Sequence, residues 1–361
     1  MSGGDRPIAR GTKGEAPSAW SEKARLWVVV LVLMGNPALS IVLGNFHEFD
    51  PMVRKGYAFA DSDAYVAEYF QEPNRAPYRF LVPMLARVLP DPPDWASQRG
   101  TSGVKLGSVS IAASKFATIG FVFLCGATLL MVRLACSFGL SMHESTLGGA
   151  MVLGLNQVVW LSGGPVIEPA FWFFLCLGLL AIQLRNPILL ACALLAGIFV
   201  KEHILLLAFF AGVTPLEHGR RKWMFLAVLP AVVAYAAVRL LWQPVAADFL
   251  DQMFAANSLD RVGAAFRNLF SVTGIKYVFL TFGLLWLPFA YTVARVELPI
   301  ILRKWGYVVP LLLVGPPLLG VHHIMRYLTA AFPVIVLVVL FGIRGRCVLA
   351  EETGVMPLRR P

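Results

Sequence analysis

The stretch 187-PILLACALLAGIFVKEHILLLAFFAGV-213 decides how the rest of the chain is threaded. As one helix it is long enough to cross a bilayer, for which about 20 residues at 1.5 Å each suffice. That reading buries Lys201, Glu202 and His203 near the midplane, where ionisable groups are costly. It also leaves Arg220, Arg221 and Lys222 on the side that clustered cations avoid. As two short helices, 187–200 and 204–213, that enter and leave by the same side, the stretch puts Lys201 and Glu202 at a turn on one face and returns the 220–222 cluster to the other. The hairpin is the preferred reading. Each arm alone underspans a bilayer, so neighbouring helices must shield it or it must line a cavity.

Working outward, the composition is that of a lipid-embedded chain. Of 361 residues, 58% are hydrophobic and 14% charged, with a mean hydropathy of +0.69, which excludes an ordinary soluble protein. Apolar runs cover about 26–43, 109–134, 147–161, 169–184, 223–242, 275–294, 306–320 and 327–343. Backbone groups in lipid must pair within their own segment, so these runs are helices. With the hairpin they predict an all-α polytopic transmembrane helical bundle of about ten membrane-entering helices and a long first outer loop, 44–106.

Charge sets the orientation. The net charge of +10 lies in short clusters between apolar runs rather than on one basic face, so it argues for membrane sidedness and against nucleic acid. Arg6, Arg10, Lys13, Lys23 and Arg25 precede the first run and place the N-terminus in the cytoplasm, as in an uncleaved signal anchor. Residues 1–25 then form a disordered basic cytoplasmic tail, 26–346 the membrane domain, and 347–361 a second cytoplasmic tail. The expected location is a cell membrane of the bacterial inner-membrane type. The five cysteines show no CxxC or metal-ligand spacing and read as small buried hydrophobes. The 243–274 loop is expected to hold two amphipathic turns, and a short inner turn is expected around His143 and Glu144.

This threading brings Asp61, Asp63, Tyr65, Tyr78, Arg79, Glu168, Lys201, Glu202, His322, His323 and Arg326 to the outer face. Such a group offers carboxylates for proton removal and cations for phosphate, which Arg binds bidentately and Lys as a point charge. Asp61 and Tyr65 share a helical face at i, i+4; capping a helix is the competing role for Asp61. Arg79 either contributes to the site or snorkels to headgroups. Glu168 is suited both to the site and to the N-terminal dipole of the helix that follows. Lys201 and Glu202, being adjacent, diverge and must contact different partners. His322 and His323 lack a third and fourth ligand at recognisable spacing, so no metal is assigned.

Four places carry a resemblance: the D-x-x-x-Y of Asp61 to Tyr65, the PYRFLVP segment 77–83, the Lys201-Glu202 pair in a broken hydrophobic hairpin, and the HIMRY motif 323–327. Together they are similar to the polytopic glycosyltransferases of the GT-C superfamily, over about 26–340. That resemblance implies a sugar donor linked to polyprenyl phosphate, a glycan, lipid or protein acceptor, and a role in glycan biosynthesis at the cell envelope. It also implies an essential acid in the first outer loop, which by position is Asp61, with Asp63 as its deputy. Many relatives have Glu directly after that Asp and a soluble C-terminal domain; here Ser62 follows, and no such domain is expected, so the loops are expected to recognise the acceptor. Tyr65, Tyr69, Tyr78 and Trp95 are candidates to stack on sugar rings. The rival classes are a transporter or flippase of a lipid-linked sugar or other lipid phosphate, and a noncatalytic membrane subunit.

Overall fold

The computed structural model describes residues 27, 30–31, 33–43, 79–91, 108–162, 166–242, 258–318 and 324–352. Among them every regular element is a helix. Four helical segments are long and apolar enough to cross a membrane: Ile111–Ser137, Gly219–Val238, Val272–Arg295 and Arg326–Gly345. Leu33–Leu43, Glu168–Gln183, Pro187–Ile198 and Glu202–Val213 are shorter apolar helices. The protein is therefore a helical membrane protein by length and apolarity of its segments.

The decisive stretch is broken. Pro187–Ile198 is α-helical, Lys201 takes an extended backbone with φ −160° and ψ 129°, and a short 3-10 turn at Glu202–Leu205 leads into the helix Leu206–Val213. Three consecutive ionisable residues on one continuous helix would point in three directions through apolar surroundings, and the break lets them aim separately. The two arms reverse direction against Glu168–Gln183. Lys201 meets Glu168 at the start of that helix, whereas Leu207 packs on Gly178, about 15 Å further along at 1.5 Å per residue. Arg221, whose Nη2 donates to the Gly212 carbonyl at 2.7 Å, then sits by the far end of the second arm. The hairpin is thus the observed fold, with the Lys201 turn and Arg221 at opposite ends of the bundle.

Three boundaries differ from expectation. The run 147–161 is not one helix: Met142–Leu153 ends at Gly154, Leu155 is extended (ψ 132°), and Asn156–Trp160 is a separate turn of helix. The turn before it falls at Phe138–Leu140, not at His143 and Glu144, because Gly139 adopts φ +84° and Ser141 starts a new helix with a capping box. There Glu144 Oε2 accepts from Ser141 N at 2.7 Å, and Ser141 Oγ accepts from Glu144 N at 3.3 Å, satisfying end groups that have no helical partner. Within the 243–274 loop, Ser258–Leu269 is a full helix, and 243–257 lie outside the described residues.

The core is concentrated around the Glu168–Gln183 and Phe332–Glu352 helices, whose Phe171, Trp172, Leu175, Phe332, Ile335 and Leu337 are almost wholly buried. The spans differ sharply in how enclosed they are. Within the most apolar part of each, 78% of Arg326–Gly345 is buried against 22% of Gly219–Val238 and 17% of Val272–Arg295. Large apolar side chains such as Trp223, Leu229, Ile275 and Leu287 point outward, as a lipid-facing surface requires. The last span runs end to end: Arg326 lies at the Lys201 end, while Arg344 Nη1 donates to the Gly139 carbonyl at the other at 3.0 Å. Their separation is about 27 Å at 1.5 Å per residue, close to a hydrocarbon thickness.

Candidate functional site

The helix Glu168–Gln183 begins with an acidic residue followed by Pro169. Proline at a first turn gives up only an N–H that has no helical partner, and the carboxylate suits the positive end of the dipole. Glu168 Oε2 accepts from the backbone N–H of Ile167 at 3.2 Å. Its other oxygen, Oε1, accepts from Lys201 Nζ at 3.4 Å and from Arg326 Nη2. Glu168 is 2% exposed and Lys201 3%, so the carboxylate and the ammonium pair in the interior, while Arg326 reaches the same carboxylate from a half-buried position. Lys201 Nζ also lies 5.4 Å from the centroid of Phe171, whose ring face attracts a cation.

A second pair adjoins the first. Glu202 receives Arg79 in fork geometry, Nη2 to Oε1 at 2.7 Å and Nε to Oε2 at 3.2 Å. The pair is partly buried, at 15% and 25% side-chain exposure. Arg79 is therefore turned into the bundle, which answers the alternative that it snorkels. It is held there by its neighbours: Leu81 N donates to the Phe199 carbonyl at 3.3 Å, and Phe80 packs on Phe199 with centroids 4.9 Å apart. The end of the first long loop is thus stitched to the hairpin turn. Adjacent Lys201 and Glu202 do contact different partners.

His203 completes the turn. Its ring lies 4.3 Å from that of Tyr327 and edge-on to Phe171 at 6.3 Å; its Nδ1 is 3.9 Å from Glu202 Oε1, beyond hydrogen-bond reach. Sequence reasoning assigned no role to His203. Its place directly after Lys201-Glu202 at a helix break was the available signal.

Arg79, Glu168, Lys201, Glu202 and Arg326 are thus brought into one network. Asp61, Asp63, Tyr65, Tyr78, His322 and His323 lie outside the described residues. Among the described residues no group of three or more His, Cys, Asp or Glu is placed to hold a metal. Among the described residues these contacts pair Arg79 with Glu202, and Lys201 and Arg326 with Glu168. Glu168, engaged by two cations, is a poor proton acceptor, and its geometry makes it a clamp. Arg326 keeps 35% side-chain exposure, so its pair with Glu168 lies at the edge of the network. No protein-family model, curated protein or solved structure matches this chain.

Proposed function

We propose that the protein is an integral membrane glycosyltransferase of GT-C type with about ten membrane-entering helices, which moves a sugar from a polyprenyl-phosphate donor to an acceptor hydroxyl on the outer face. The observation that carries this reading is the meeting of Arg79, Lys201-Glu202 and Arg326. They come from three of the four sequence motifs on which the resemblance rests, and their ion pairs adjoin at the Lys201-Glu202 turn.

In the proposed reaction Asp61, with Asp63 as the alternative, removes the proton of the acceptor hydroxyl as its oxygen attacks the anomeric carbon. The bond from that carbon to the phosphate oxygen breaks, and the electron pair leaves with the lipid phosphate. Configuration inverts. Arg326 and Arg79 are aimed at the developing phosphate charge, which preorganised cations stabilise best where water is excluded. Glu168 and Glu202 hold these cations in place before the donor arrives, so little reorganisation remains at the moment of transfer. Tyr65 and Tyr78 are proposed to contact the sugar, and His322 and His323 the acceptor side.

The test is sugar transfer in membranes supplied with radiolabelled polyprenyl-phosphate sugars, comparing the parent chain with Asp61→Asn at matched expression. Transfer should fall by a hundredfold or more, the range for loss of a general base, with donor binding retained. If the parent transfers nothing from any donor while labelled lipid crosses the bilayer in its presence, the transporter reading replaces this one.

A further inference from the structure

The end of the bundle away from Lys201 carries a second basic feature that sugar transfer does not use. A cleft of about 460 Å³ is lined by Gly212, Val213, Arg221, Arg303, Lys304 and Tyr307. Three of these six residues are cationic and none is acidic. The neighbouring Glu217 is directed to Arg220, at 4.0 Å.

The two walls are fixed relative to each other. Trp305, fully buried, donates from Nε1 to Thr214 Oγ1 at 2.9 Å and packs edge-on against Phe210 and Phe138 at 5.5 and 5.6 Å. That joint pins the helix Ile300–Trp305, which ends in Arg303 and Lys304, against the end of Leu206–Val213. Arg221 is oriented by its bond from Nη2 to the Gly212 carbonyl, which uses only part of a guanidinium with five N–H donors. Arg221, Arg303 and Lys304 thus line one cleft whose walls are joined through Trp305.

We infer that this cleft binds an anionic phosphate group, and that the headgroup of an anionic glycerophospholipid supplies it. The lipid source follows from what adjoins the cleft. Next to Arg221 the helix His218–Trp242 turns Trp223, Phe225, Leu226 and Leu229 outward, an apolar strip on which acyl chains can lie. Basic pockets between membrane helices hold phosphate headgroups in this way. Tyr307, 62% exposed, stands at the rim with a hydroxyl for the phosphate and a ring for the interface.

The test uses the purified full-length chain in detergent, titrated calorimetrically with dioctanoyl phosphatidylglycerol, dioctanoyl phosphatidylcholine and inorganic phosphate. Phosphatidylglycerol should bind at least tenfold more tightly than phosphatidylcholine. The double variant Arg303→Gln/Lys304→Gln should weaken it tenfold or more, and Arg303→Glu alone should do likewise if the double variant does not fold. Arg133→Gln/Arg295→Gln, which removes as much charge from exposed positions outside the cleft, should change it less than twofold. Competition by inorganic phosphate at comparable affinity keeps the phosphate site and moves its source to the aqueous phase. Equal binding of phosphatidylcholine, equal loss in the control pair, or no binding of any phosphate-bearing probe overturns the inference. None of these readouts depends on sugar transfer.

Discussion

Glu168 is the residue on which the buried ion pairs hang. A buried carboxylate with two cations is costly to assemble, and removing one member is worse than never having built the set. Glu168→Gln keeps the shape and leaves Lys201, 3% exposed, without its carboxylate; a loss of about 3–5 kcal/mol is expected, read as a fall in melting temperature in detergent. Adding Lys201→Met to Glu168→Gln removes the stranded charge and should restore part of that loss. An equal or deeper fall in the double variant would show that the pair is not what the interior responds to. Arg79→Lys loses the fork but keeps a charge at a partly exposed pair, and about 1 kcal/mol or less is expected. The charged members of this network were legible in the sequence because ionisable residues are rare in an apolar chain and fall at the ends of apolar runs. Their pairing was not: nothing in the spacing says that Glu168 takes Lys201 and Arg326, or that His203 lies on Tyr327, since contacts between distant helices leave no periodic trace.

At the scale of elements, the hairpin depends on close approach at two glycines. A Cβ on Gly178 would lie 2.1 Å from Leu207 Cδ1, and one on Gly197 would lie 2.7 Å from Ile204 Cγ1. Leu207 is fully buried and has no room to yield, so Gly178→Val should lift the second arm from the Glu168–Gln183 helix at a cost of about 1–3 kcal/mol. Leu207→Ala in that background should recover part of it; thermal unfolding of the three variants decides. The hairpin was legible through charge and sidedness, yet the break at Leu155 was not. Proline, the usual punctuation, misleads here. Pro230 lies inside His218–Trp242 and Pro316 and Pro317 inside Val308–Leu318, whereas the chain breaks at Gly154–Leu155 and Val200–Lys201, where there is none. In lipid, neighbouring helices and local adjustments accommodate the lost bond, so a proline need not end a membrane helix.

For the whole molecule, the proposed orientation makes a prediction about sides. In a background with the native cysteines replaced, Val88→Cys at the Lys201 end should react with an impermeant maleimide in intact cells, and Arg221→Cys only after the inner face is opened. Val88 is 78% exposed and Arg221 is exposed, so both sites are reachable. Labelling of both from one side would mean that the bundle does not cross the membrane as drawn. The uneven enclosure of the spans has a further consequence. Arg326–Gly345 is held by protein, but Gly219–Val238 and Val272–Arg295 are far less enclosed by the described residues, and the proposed orientation turns their open faces to acyl chains. Exchanging bilayer for detergent should therefore speed amide hydrogen exchange in those two helices first and leave the last span nearly unchanged. That order of loosening would make the surrounding lipid, for this chain, a structural subunit.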